Sequence, residues 1–123
     1  MSSPDLLALV LCDVAAVDDA GKVSLQGLFD CIWAAGFPTR HNQLSVFWKA
    51  RFDAPGAARV VIEGPSGQPV ALTDRVDVGQ AGLAQAIHVV NGLEFPVPGE
   101  YFVRLIADQG QIGVTMLDVR VRQ

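Results

Sequence analysis

The side chains that could support nucleophilic catalysis are few and poorly placed in the sequence. Ser24 lies between Gly21 and Gly27, and this spacing differs on both sides from the Gly-x-Ser-x-Gly elbow that exposes a catalytic serine. Cys31 would need a base such as His41, and no base lies next to it along the chain. We therefore predict that Ser24 is a solvent-facing strand residue, that Cys31 is a thiol of the core, and that the protein is not an enzyme.

Candidate metal ligands are equally sparse. Zinc sites use three or four converging ligands. The chain has two histidines, His41 and His88, which are far apart in the sequence, and it has no Cys-x-x-Cys motif. His88 falls at an outward-facing position of its predicted strand, with nothing near it to tune its titration. Asp53, Asp74 and Asp77 offer at most an opportunistic calcium site. The sequence therefore predicts no catalytic residue, no metal and no cofactor.

Composition limits the class of protein before any strand is assigned. The chain has 123 residues and a mass of 13.1 kDa, the size of one domain, which we assign to residues 1–123. Half of the residues (50%) are hydrophobic and 18% are charged, which excludes a disordered chain. The longest apolar run, Leu6–Cys12, is too short for a transmembrane helix, which needs about 20 residues.

Charge and the N-terminal sequence narrow the expected partners and compartment. The net charge is −4 and the pI is about 4.9, and the basic residues are scattered. Neither nucleic acid nor a membrane surface is therefore an expected partner. A lipoprotein signal ending at Cys12 is not favoured, because no Lys or Arg precedes the apolar run and Leu11 is not a small residue. The expected location is the cytoplasm.

Alternation of apolar and polar residues with a period of two, interrupted by turn residues, predicts an all-β fold. The segment from Asp18 to Lys22 is typical of a type I turn closed by a left-handed Gly21, which joins the first two strands into a hairpin. Asn91-Gly92 interrupts the sixth strand and is predicted to form a bulge. The eight predicted strands span residues 6–17, 22–33, 44–52, 58–63, 70–73, 83–95, 100–108 and 112–122. We expect an antiparallel two-sheet sandwich, with a closed β-barrel as the alternative.

Four short segments carry a resemblance to a known family. They are Leu11–Asp13, Gly21–Asp30, Phe37–Pro38 and Pro98–Tyr101. Together they resemble a family of small bacterial single-domain β-sandwich proteins of unknown function. The Pro-Gly-x-Tyr segment also resembles the start of a late strand in many immunoglobulin-like domains. The resemblance implies an immunoglobulin-like sandwich over nearly the whole chain, and it brings no activity or cofactor.

Apolar residues occupy both faces of the first predicted hairpin. The outward positions of strand one are Leu6, Ala8, Val10, Cys12 and Val14. The hairpin register places Cys12 opposite Leu28 and Ala8 opposite Ile32. It also places Cys12 and Cys31 on opposite faces of one sheet, so we expect both thiols to stay reduced. Monomers rarely expose such a patch. We therefore predict a homo-oligomer with an interface formed by Val10, Cys12, Val14, Leu28 and Ile32.

Other coverings of this patch are also considered. The loop that contains Phe37, or the side of the seventh strand that carries Phe102 and Ile106, could cover it within the chain. A different protein or an apolar ligand could also occupy it. The resulting function is a non-enzymatic interaction or assembly module.

The alternative function is a module that binds a small ligand or a carbohydrate. Such modules stack sugars on a flat row of exposed rings. Here Trp33, Trp48 and Tyr101 are predicted to point inward, and the rings that are predicted to point outward are Phe47 and Phe102. This distribution counts against the alternative.

Overall fold

A computed structural model describes residues 3–122 of the chain, and this part folds into ten β-strands. The strands are β1 (Asp5–Val17), β2 (Val23–Leu28), β3 (Cys31–Ala34), β4 (Thr39–Phe52), β5 (Gly56–Glu63), β6 (Pro69–Leu72), β7 (Val76–Val78), β8 (Gly82–Phe95), β9 (Gly99–Ala107) and β10 (Gly110–Val121). Eight strands were expected from the sequence. The two additional strands arise because the predicted second strand is divided into β2 and β3, and because β7 lies in the segment 75–82 that was predicted as a connection. No helix among residues 3–122 is long and apolar enough to span a membrane.

The strands form two sheets that are not closed into a barrel, so the predicted sandwich is confirmed. One sheet has four strands in the order β2-β1-β4-β8, and the other has six, in the order β3-β10-β9-β5-β6 with β7 paired to β5. Neighbouring strands are antiparallel, except that β3 runs parallel to β10. Alternate side chains of both sheets meet in one hydrophobic core.

The predicted inward positions of the central strands are confirmed. The predicted inward residues Leu44, Val46, Trp48, Ala50 and Phe52 of β4 are all buried, and so are Tyr101, Val103, Leu105 and Ala107 of β9. Tyr101 also fixes the loop before its own strand, since its hydroxyl donates to the carbonyl oxygen of Val97 at 2.6 Å. This contact resembles the tyrosine corner of immunoglobulin-like domains. The segment Pro98–Tyr101 therefore begins a late strand, as its sequence indicated.

The first hairpin has the predicted turn and register. The backbone N–H of Gly21 donates to the carbonyl of Asp18, and Asp18 Oδ1 accepts the backbone N–H of Ala20 and Lys22, both at 2.9 Å. Gly21 has φ +82°, the left-handed conformation that the turn requires. Cys12 is paired with Leu28, as predicted.

The second predicted strand, however, does not stay in one sheet. Its first part is β2, and at residues 29–30 the chain crosses to the other sheet and continues as β3. Backbone hydrogen bonds fix the crossing, because Phe29 N donates to Leu11 O at 3.2 Å and Asp118 N donates to Asp30 O at 2.9 Å. The predicted pairing of Ala8 with Ile32 is therefore wrong, and Ile32 is instead paired with Val119.

This crossing also corrects the placement of the residues next to Ile32. Cys31 and Cys12 lie in different sheets and not on opposite faces of one sheet, although both thiols are free. The prediction that Cys31 is a thiol of the core is wrong, because it is partly exposed beside Asp118. Trp33 was predicted to point inward and is instead 52% exposed on the outer face of the six-stranded sheet.

The long strand β8 changes its buried face at Asn91-Gly92. Its pairing with β4 keeps one register on both sides of these residues, so the predicted bulge is absent from the ladder. Before them His88 faces the core, and after them Leu93 and Phe95 do, with Gly92 at φ +63°. The prediction that His88 faces outward is therefore wrong. His88 is paired with the core residue Val46 and is buried.

Candidate functional site

The outer face of the four-stranded sheet carries a continuous set of apolar side chains, here called the hairpin face. Four of the five residues predicted for the interface lie in it. The hairpin face consists of Val10, Cys12, Val14, Leu28, Phe47 and Val89, with the small residue Ser45 between Cys12 and Val89. Val10 is paired with Phe47, and Cys12 is paired on one side with Leu28 and on the other with Ser45, so that all these side chains share one face.

A bulge in β1 sets where the hairpin face begins. The pairing with β4 shifts between Leu6, which lies opposite the core residue Ala50, and Ala8, which lies opposite Lys49. Leu6 was predicted to face outward and instead packs against the core, because the extra residue reverses the side-chain alternation. Ile32 is also absent from this face, since it lies in the other sheet and packs against the core.

The centre of the hairpin face is buried and its rim is exposed. Cys12 and Ser45 have no exposed surface, because these small side chains lie between larger neighbours such as Phe47. Burial, and secondarily the nearby Asp13 carboxylate, raises the pKa of the Cys12 thiol, which keeps it protonated and unreactive. On the rim, the exposed fractions are 64% for Leu28, 51% for Val89 and 44% for Val14.

The segments that could have covered the hairpin face within the chain lie elsewhere. Phe37 packs against the core. Phe102 and Ile106 alternate with the buried residues of β9 and so lie on the outer face of the six-stranded sheet. These intramolecular coverings are therefore wrong. Phe47 and Val89 were not predicted as part of the site, although the outward position of Phe47 in its alternating strand was a signal for it.

A second surface lies on the outer face of the six-stranded sheet, here called the Trp33 groove. It has a volume of about 900 Å³. Its lining consists of Asp30, Cys31, Trp33, Glu100, Phe102, Val114, Thr115, Met116, Asp118 and Arg120. Strand β10 forms its floor, and β3 and β9 form its two sides.

Strand pairing places the side chains of the Trp33 groove in successive rows across β3, β10 and β9. Arg120 lies beside Trp33, and its guanidinium carbon is 5.8 Å from the centre of the indole ring. In the next row Asp118 lies between Cys31 and Glu100. Arg120 Nε donates to Asp118 Oδ2 at 2.6 Å, and this carboxylate raises the pKa of the guanidinium. The Trp33 end of the groove therefore combines an aromatic ring with an ion pair.

The remaining rows of the groove combine apolar side chains with Arg104, which is paired with Val114 and whose guanidinium carbon is 5.3 Å from the centre of the Phe102 ring. Met116 is paired with Phe102 in the row that follows Asp118, and Val114 lies beyond them on β10. Met116 and Val114 are 49% and 45% exposed. A smaller depression lined by Val10 and Leu28 shares Met116 with the Trp33 groove, so the two apolar surfaces meet at the edge of the sandwich.

The residues considered for chemistry in the sequence are not brought together. Cys31 and His41 lie in different sheets, and His41 packs against the ring of Phe29 at 5.6 Å. Across residues 3–122 no group of three His, Cys, Asp or Glu side chains is arranged to hold a metal ion.

His88 is the titratable residue that sequence reasoning placed wrongly. It lies against Trp48, whose indole N–H donates to His88 Nε2 at 2.8 Å. Burial lowers the pKa of His88, while the Asp74 carboxylate acts in the opposite direction. The neutral imidazole that this bond requires is therefore the form favoured by the fold.

The family of the chain follows from its sequence. The model of a family of unknown function, DUF6941, matches residues 7–120. The chain belongs to this family. No curated protein is similar enough to this DUF6941 member to count as a relative.

Solved structures with a similar fold come from proteins of different activities. The alkylpurine DNA glycosylase AlkC from Pseudomonas fluorescens, bound to DNA containing an abasic site analog, has a TM-score of 0.53 at 10% identity over 74% of this chain and 27% of that chain. A β-glucosidase from Listeria innocua has a TM-score of 0.51 at 10% identity over 92% of this chain and 16% of that chain. An immunoglobulin-like protein from Pseudomonas aeruginosa has a TM-score of 0.47 at 13% identity over 97% of this chain and 98% of that chain.

These likenesses concern the fold alone. The DUF6941 chain spans less than a third of the length of the glycosylase and of the β-glucosidase. Because one fold can carry many unrelated functions, the activities of those proteins do not transfer to it.

Proposed function

We propose that this DUF6941 protein is a non-enzymatic assembly module that self-associates through the hairpin face. The observation that carries the proposal is the exposed apolar rim of Leu28, Val89 and Val14 around a buried centre. Such an arrangement is typical of an interface core, because water is already excluded from its middle and the flanking side chains gain from being covered.

The size of the rim sets the expected strength of association. Fully burying an exposed Val or Leu side chain contributes about 2 kcal/mol, and the rim residues are roughly half exposed, so each has about 1 kcal/mol still to gain. A two-fold dimer uses each residue twice, which gives on the order of 6 kcal/mol before the cost of association. We therefore expect a weak dimer whose population depends on protein concentration.

The test is the mass in solution, measured by light scattering over a range of protein concentrations. Leu28→Asp, at an exposed edge position, should keep the protein folded and monomeric at concentrations where the wild type is dimeric. Val10→Asp, beside Phe47 on the same face, should have the same effect. Leu72→Asp is the matched control, because Leu72 is 61% exposed but lies in the other sheet. It should leave the wild-type mass unchanged.

Two results would contradict the proposal. One is a wild-type protein that remains monomeric at the highest soluble concentration. The other is a dimer whose mass responds equally to Leu28→Asp and Leu72→Asp, since these side chains lie in different sheets.

A second candidate function is small-ligand binding in the Trp33 groove. The argument against it was that Trp33 points inward, and Trp33 instead exposes 52% of its surface. An exposed indole at one end of a groove with polar groups beside it is typical of a ligand site. Chemical-shift changes of the Trp33 indole N–H during ligand titrations test this candidate, and the Trp48 indole, which is fully buried, serves as the internal reference.

A further inference from the structure

We infer that the Trp33 groove binds a small organic cation, a primary amine attached to an apolar or aromatic group. This inference rests on the second candidate function, ligand binding in that groove, and adds the chemical class of the ligand. Its volume of about 900 Å³ lies within the range of small-molecule sites, roughly 300–1,000 Å³. The groove therefore fits a free small molecule.

Charge selects a cationic ligand over a neutral one. The groove is lined by three carboxylates, those of Asp30, Glu100 and Asp118, and by one guanidinium, that of Arg120. Asp118 and Glu100 lie directly opposite each other on neighbouring strands, an arrangement of like charges that is unfavourable without a cation. Arg120 forms an ion pair with Asp118. The Glu100 carboxylate also acts on the Arg120 guanidinium and helps to raise its pKa, but three carboxylates around one guanidinium leave an excess of negative charge for a ligand.

The side chains around Glu100 determine which substituent the ligand amine can carry. Phe102 lies two residues along the same strand face, and Met116 is paired with Phe102 across the groove floor. An ammonium at the carboxylates of Glu100 and Asp118 would place its substituent beside Met116 and Phe102. The Arg104 guanidinium already lies 5.3 Å from the centre of the Phe102 ring, so Met116 offers the open apolar contact. A strongly hydrated polar substituent would lose its water there without compensation.

The chain itself shows that this surface accommodates a cation. The Arg120 guanidinium lies between the Asp118 carboxylate and the Trp33 ring, 5.8 Å from the ring centre. Aromatic rings attract cations through their electron-rich faces, and tryptophan does so most strongly. The ligand amine would occupy the neighbouring position, on the Glu100 side of Asp118, and extend this network of alternating charges.

The test compares two probes of the same shape, 2-phenylethylamine and 2-phenylethanol, titrated into isotopically labelled protein and followed by NMR. The amine should shift the Trp33 indole N–H and the backbone amides of β9 and β10, and it should bind about fivefold more tightly than the alcohol. Glu100→Gln keeps the shape of the side chain and should remove most of this preference. Glu94→Gln is the matched control, because Glu94 is an exposed acid in the other sheet. High salt should weaken binding of the amine and leave binding of the alcohol unchanged.

The possible results separate two failures, that of the proposed ligand class and that of ligand binding in the groove. If the alcohol, or a neutral sugar such as cellobiose, binds in the groove as tightly as the amine, the cationic class is wrong and ligand binding in the groove stands. If the amine shifts resonances only outside the groove, or if neither amine, alcohol nor sugar shifts any resonance, both this inference and the second candidate function are overturned.

Discussion

Removing the buried bond between Trp48 and His88 should destabilise the protein by a predictable amount. The indole N–H of Trp48 donates to His88 Nε2 at 2.8 Å, and the planes of the two rings are inclined by 26° with their centres 6.4 Å apart. In the variant His88→Leu the indole N–H would lose its acceptor while Trp48 remains fully buried. A buried donor without a partner costs about 1–3 kcal/mol. We therefore expect the free energy of unfolding to fall by that amount.

A double-mutant cycle isolates this contribution from changes in packing. Trp48→Phe removes the donor and part of a large buried ring. This single variant should lower the free energy of unfolding by about 2–3 kcal/mol, because it leaves a cavity. In the double variant no donor is left unpaired. Its loss of stability should therefore be smaller than the sum of the single losses by about 1–2 kcal/mol.

Urea unfolding of the four proteins measures the cycle. Trp33 remains as the fluorescent reporter in the variants that lack Trp48, because the chain has two tryptophans. Thermal unfolding should agree, with His88→Leu lowering Tm by about 3–10 °C for a domain of this size. An interaction energy close to zero would refute the reasoning, since it would mean that the N–H is equally well satisfied without His88.

Three further predictions concern stability. Because the pKa of His88 is lowered from its ordinary value of 6.5, the unfolded chain takes up a proton before the folded one does. The free energy of unfolding should therefore fall as the pH drops below about 6.5, and in His88→Leu this part of the pH dependence should be absent from urea titrations. Ile32→Ala should lower the free energy of unfolding by about 1–3 kcal/mol without changing the mass in light scattering, because Ile32 packs against the core. A change of mass would show that Ile32 belongs to the interface. Tyr101→Phe should cost about 1 kcal/mol in thermal unfolding through loss of the bond to Val97, and an unchanged Tm would show that this corner is not stabilising.

Local sequence patterns predicted the central part of this fold well. In residues 44–52 of β4 and in β9 each predicted inward position is apolar and is buried, because a residue in a regular strand faces the same side as the residue two positions away. The first hairpin was predicted equally well. Asp18 and Gly21 meet the requirements of the turn within five residues of chain, and the turn fixes the register of Cys12 with Leu28.

The errors occurred where alternation continues in the sequence but the backbone changes its partner. Residues 22–33 alternate without interruption, and nothing local indicates that the chain crosses between sheets at residues 29–30. The bulge after Leu6 and the change of buried face at Gly92 are similar, because each depends on how two distant strands align. At these places the structure differs from the prediction. Ile32 packs against the core, Trp33 lies on the surface, and His88 lies against Trp48.

The amino-acid sequence alone therefore determined that this chain is an all-β sandwich and that its first strand is apolar on both faces, since these properties depend on residue types a few positions apart. The tertiary structure decided which apolar side chains lie together. It joined Phe47 and Val89 to the hairpin face and assembled the Trp33 groove from three strands. A surface of this kind is made by hydrogen-bonded neighbours from separate parts of the chain, and the period of a single strand contains no information about which neighbours those will be.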